Sequence, residues 1–108
     1  MSNLDNAVAE LIAAIKSSEQ YLAYEREKEK INRFPELKKQ VTAYRLQNYR
    51  LQSMTDYEEL FHKIEEFERE YEKFRENPIV ADFLAAELGF CRMMQSVNIK
   101  ITEALNFE

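Results

Sequence analysis

The sequence predicts an all-α fold, a five-helix bundle built from antiparallel helical hairpins and a long C-terminal helix. Three observations carry this. Apolar residues recur at spacings of three and four along nearly the whole chain, the period of helices packed on one face. Glycine occurs once and proline twice in 108 residues, so strand-to-strand tight turns and strained loops have almost no material to form from. The interruptions of the helical period fall on residues that cap or start helices. Residues 1–108 read as a single helical domain, without internal repeat or low-complexity segment.

Segment one, about Asn3 to Lys16, places Leu4, Val8, Leu11 and Ile15 on one stripe. Ser17 followed by Gln20 fits a capping box opening segment two, about Ser18 to Asn32. Its stripe, Tyr21, Tyr24, Lys28 and Ile31, is interrupted by a lysine, and the alternating charges of residues 25–30 suit a solvated face. Phe34-Pro35 breaks the pattern, since proline disfavours helix in the residue before it and suits the first helical position. Segment three then runs to about Gln52 with Leu37, Val41, Tyr44, Asn48 and Leu51 in line.

Thr55 and Glu58 form a second capping box and open segment four. There Tyr57, Leu60, Ile64, Phe67, Tyr71 and Phe74 follow at three, four, three, four, three, the spacing of a coiled-coil seam. The short link Ser53-Met54 makes segments three and four an antiparallel hairpin, with a basic excess on the first and an acidic excess on the second. Asn77-Pro78 starts segment five, which runs to about Leu105. It carries two apolar stripes, Val80, Leu84, Cys91, Met94, Ile101, Leu105 and Ile79, Phe83, Phe90, Val97. A helix apolar on two sides has neighbours on two sides. Ala81, Ala85 and Gly89 recur every four residues, where another backbone can come close, and Asn98 falls between Met94 and Ile101, where one buried polar residue fixes register. These four residues form the candidate self-association face of an expected homodimer.

Composition narrows function by exclusion. Hydrophobic residues are 45% and charged residues 32% of the chain, with a net charge of -5, which is neither a disordered acidic tail nor a membrane protein. The start Met1-Ser2-Asn3-Leu4-Asp5 has an acid where a signal peptide needs basic residues, and no apolar run is long enough to span a bilayer. A single cysteine, Cys91, forms no disulfide within the chain. These features lead to the expectation of a cytoplasmic protein that engages no membrane.

The chemistry-bearing residues read mostly as structure. Glu59 and His62 form the E-x-x-H unit of di-iron bundles, but such a site needs two units and further carboxylates, and this chain has one histidine. His62 lies opposite the aromatic seam and is expected in solvent. Cys91, inside an apolar stripe, is expected to be buried as a small hydrophobe. No nucleophile, base and orienting group come together, so no enzyme is expected, and neither cofactor nor metal. Lys38, Lys39, Arg45 and Arg50 make a candidate basic face on segment three, with Tyr44 and Tyr49 among them. Direct RNA binding through that face is the alternative function, set against an acidic chain and a Tyr44 committed to the seam.

The stretches Ser18-Glu19-Gln20-Tyr21-Leu22-Ala23-Tyr24, Phe34-Pro35-Glu36-Leu37 and Asn77-Pro78-Ile79-Val80-Ala81-Asp82-Phe83-Leu84-Ala85-Ala86-Glu87, in this order, resemble the YlbF/YmcA family of bacterial proteins. The resemblance implies a small helical, commonly self-associating, non-enzymatic regulator of competence, sporulation and biofilm formation. It also implies a hetero-complex with related helical proteins that adjusts RNA processing. The cysteines that iron–sulfur-binding members use have no match here beyond the mid-helix Cys91.

Overall fold

The computed structural model describes residues 2–54 and 56–106, and among them all regular structure is helical. Six helices follow in order: α1 Asn3–Lys16, α2 Glu19–Asn32, α3 Pro35–Gln52, α4 Tyr57–Glu70, α5 Glu72–Glu76 and α6 Pro78–Ala104. The expectation of five helices is corrected at Tyr71. There the backbone turns to φ -104°, ψ 9°, between α4 and α5. The guanidinium of Arg75 reaches back to donate to the carbonyl of Glu68 at 3.2 Å, the acceptor that Glu72 would use in an unbroken helix. The apolar seam continues through the break.

Side-chain caps explain most of the boundaries. Ser2 accepts from the Asp5 N–H at the start of α1. The α1–α2 junction shifts by one residue from the sequence reading. Ser17 ends α1, its hydroxyl donating to the Ala14 carbonyl, and Ser18 opens α2. The Ser18 hydroxyl donates to the Ile15 carbonyl at 2.6 Å and accepts from the Tyr21 N–H at 3.2 Å, so one side chain closes one helix and caps the next. Phe34, at φ -124° and ψ 80°, lies outside the helical region before Pro35, as the proline ring requires. The capping box read at Thr55 falls on a residue outside those described; the observed cap of α4 is Asp56, which accepts from the N–H groups of Glu58 and Glu59. Asn77 caps α6 by accepting from the Ile79 N–H.

Two compact units are present, one of residues up to Lys28 together with those from Phe83 on, the other Glu29–Asp82. In the first, Tyr21 and Tyr24 of α2 pack on Phe83 and Phe90 of α6. Tyr24 stacks on Phe90 at 5.4 Å between centroids, Tyr21 lies 5.6 Å from Phe90, and Lys28 Nζ stands 5.7 Å from the centre of the Tyr24 ring. The packed line of α6 here is Phe83, Ala86, Phe90, Met93 and Val97, a three–four seam in which Phe83 is buried and the rest half-buried. This corrects the fate of the other stripe from Cys91 on. Cys91 is exposed, because it turns about 100° from Phe90 and off the stacked rings. Met94, Ile101 and Leu105 are exposed with it.

In the second unit α3 packs on α4, and Tyr44 inserts among Phe67, Tyr71 and Phe74 at centroid distances of 5.1, 5.3 and 5.6 Å. Ile31, Val41 and Val80 are buried in the same unit, Val80 completely at 0% exposure. Burial, and then the Glu70 carboxylate, push the Tyr71 phenol above its ordinary value. The seam loosens toward the start of α4: Leu60 and Ile64 are half-buried and Tyr57 is 77% exposed, against the sequence expectation that it joins the seam.

Candidate functional site

The features with functional potential are apolar helix faces that stay exposed among the described residues. α1 is the clearest. Its stripe is as regular as any in the sequence, yet the helix has no buried residue. Leu4 is 74% exposed, Val8, Leu11 and Ile12 are exposed with it, and only Ile15 is half-buried. In the same unit the far part of α6 behaves alike, with Met94 and Ile101 exposed and Leu105 at 67%. These seven residues, Leu4, Val8, Leu11, Ile12, Met94, Ile101 and Leu105, are each more than a third exposed, so both helices leave apolar side chains open to water.

The four candidate self-association residues do not share one face. Ala81 and Ala85 are exposed and Gly89 half-buried along one side of α6, while Asn98 is exposed on the opposite side, in line with Met94 and Ile101. A Cβ added at Gly89 would meet nothing within 4 Å. Its lack of a side chain therefore serves no contact within the chain and leaves room beside the helix.

The basic residues of α3 are likewise divided. All four are exposed, but Lys38 and Arg45 lie on one line of the helix, and Lys39 and Arg50 on another, roughly a third of a turn away. Lys39 is 3.9 Å from Glu36. Arg50 joins Lys63, Glu66 and Glu70 around a groove of ≈ 340 Å³ beside Phe67, where Lys63 is 3.6 Å from Glu66. Each cation of this groove has acidic neighbours. Tyr44 is held in the seam, and Tyr49 is exposed.

His62 is exposed, as its position opposite the seam predicts, and shares a groove with Asp56, Glu58, Glu59, Phe61 and Glu65. Among the described residues no group of three or more His, Cys, Asp or Glu side chains is placed to hold a metal ion. Among them, too, no helix is long and apolar enough to cross a membrane.

Sequence reasoning missed two things. It read the α1 stripe without saying what covers it, since nothing in the period distinguishes covered from open. It also passed over Phe61, which is 69% exposed on α4. The signal for Phe61 was present: it follows the seam residue Leu60 directly and so points off the seam.

A family model described as "Control of competence regulator ComK, YlbF/YmcA" matches residues 4–106. No curated protein and no solved structure matches the chain.

Proposed function

We propose, from the premise that this chain belongs to the YlbF/YmcA family of competence regulators, that it is a non-enzymatic interaction module whose working form is a homodimer. The observation that carries this is the uncovered apolar surface of α1 and of the far part of α6. Exposed apolar surface of this kind is what an association interface removes from water, and each copy has it to offer. A symmetric pair covers both at once, because an isologous interface uses the same patch twice. Asn98, in line with Met94 and Ile101, is then a buried polar residue that fixes register. The line of Ala81, Ala85 and Gly89 offers a second close approach.

A chain built this way acts by what it holds together. The roles in sporulation, biofilm formation and RNA processing that the family resemblance implies fit a cytoplasmic protein of this kind, with a hetero-complex formed when a related helical chain replaces the second copy. The rival reading, direct RNA binding through Lys38, Lys39, Arg45 and Arg50, draws less support, since those cations lie on two separate lines of α3 and the chain carries a net charge of -5.

Sedimentation velocity at micromolar concentration tests the proposal. The wild type is expected to sediment as a dimer, and Leu11→Arg or Ile101→Arg as a helical monomer, since each places a charge in the proposed interface. A wild-type monomer, or variants that dimerise unchanged, would refute it.

A further inference from the structure

α4 carries an uncovered surface in the second unit, separate from the apolar faces of α1 and α6. Its seam side, Leu60, Ile64 and Phe67, turns toward α3, while Tyr57 and Phe61 stand in solvent. Phe61 lies in a groove of ≈ 560 Å³ whose other lining residues are Asp56, Glu58, Glu59, His62 and Glu65. An exposed phenylalanine that shares one groove with four carboxylates is an apolar anchor point beside a negative rim. Arg69 lies 4.0 Å from Glu65, at one end of the groove. Among the described residues no ion pair neutralises Glu58 or Glu59. One oxygen of Asp56 is engaged by the two N–H groups it caps.

We propose that this face docks a basic amphipathic helix of a partner protein. The chemistry selects that occupant. Lysine and arginine lay aliphatic stems on an aromatic ring while their charged heads reach carboxylates beside it, and a cation over the ring of Phe61 gains further attraction. The groove follows α4 from residue 56 to 65, about 13 Å along the axis, the length over which a facing helix presents two successive turns of anchors. Nucleic acid and anionic lipid are both repelled by the rim, and complementary charge steers a basic partner to it. The inference rests on reading the chain as an interaction module, and it is independent of the homodimer.

Fluorescence polarisation with two dye-labelled 18-residue peptides is the test, one an amphipathic sequence of leucine and lysine, the other of leucine and glutamate. The lysine peptide is expected to bind full-length protein, more weakly as salt rises, and the glutamate peptide not to bind. Phe61→Ala and the double variant Glu58→Lys/Glu59→Lys should each weaken binding by about tenfold or more, roughly 1.4 kcal/mol. Both sites are exposed, and an unchanged circular dichroism spectrum confirms the fold. Glu10→Lys/Glu19→Lys makes the same change in net charge elsewhere and should lower affinity far less. No binding of the lysine peptide, equal binding by Phe61→Ala, or an equal loss in the Glu10/Glu19 control would each overturn the proposal. So would a Phe61→Ala protein that no longer dimerises, because the face would then belong to the second copy. A wild type that dimerises yet ignores the peptide overturns only this inference, and a wild-type monomer that binds it at Phe61 overturns only the homodimer.

Discussion

Phe67→Ala probes the arrangement on which the second unit depends. The ring is 8% exposed and sits 5.1 Å from both Tyr44 and Tyr71. Truncating a buried phenylalanine removes its transfer free energy and leaves a cavity, about 3–5 kcal/mol together. The neighbours here are rigid rings, which cannot flow into the space as a methionine would, so the upper half of that range is expected. Natural domains hold only about 5–15 kcal/mol in all, so the variant should lose a large share of its stability. The comparison is Glu66→Ala, one residue along. Its partner Lys63 lies 3.6 Å away with both side chains more than half exposed, and such surface pairs contribute about 0–1 kcal/mol. Urea denaturation followed by circular dichroism separates the two, since the midpoint should fall sharply for Phe67→Ala and hardly at all for Glu66→Ala. Comparable shifts would refute the seam, and with it the argument that places His62 and Phe61 outside it.

Two further predictions concern single residues. Tyr71 has its phenol raised above the ordinary 10.0 by burial and then by Glu70; with the folded value above the unfolded one, its contribution is complete below about pH 10 and lost as pH rises through the folded value. The wild-type melting temperature should therefore fall more steeply above pH 10 than that of Tyr71→Phe, and parallel alkaline curves would remove the assignment. At Gly89 an added Cβ meets nothing, so Gly89→Ala should raise helix stability by up to about 1 kcal/mol. Gly89→Leu should instead weaken self-association while keeping its helix content, and an undisturbed dimer in sedimentation would take Gly89 out of the interface.

The local structure was legible in the sequence because its causes are local. Pro35 and Asn77-Pro78 start α3 and α6 where their chemistry requires, and the three–four spacing of Leu60, Ile64, Phe67, Tyr71 and Phe74 corresponds to a packed line in the structure. Misreadings of one residue arose where two adjacent groups compete for one role. Ser17 and Ser18 both suit a cap, and only the geometry of the turn assigns one to each helix. The break at Tyr71 left no mark in the apolar period, since Tyr71 and Phe74 keep the three-residue step of the seam across it.

What periodicity cannot report is what lies against a face. The stripes of α1 and of segment four obey the same rule, yet the α4–α5 stretch buries Phe67, Tyr71 and Phe74, and α1 buries nothing. In α6 the two stripes are equally apolar in sequence, and only Phe83 and Phe90 meet rings from α2. An apolar stripe records that water is unfavourable there, whichever chain removes it. Where an aromatic ring lies within reach in the same chain, as Tyr24 does for Phe90, the stripe becomes core. Where the stripe stays exposed, as along Leu4, Val8 and Leu11, the same hydrophobic free energy remains available for association. Cys91, expected to be buried, and Met94 on the same stripe are exposed in the single chain, and in the proposed dimer both are expected to become protected from solvent.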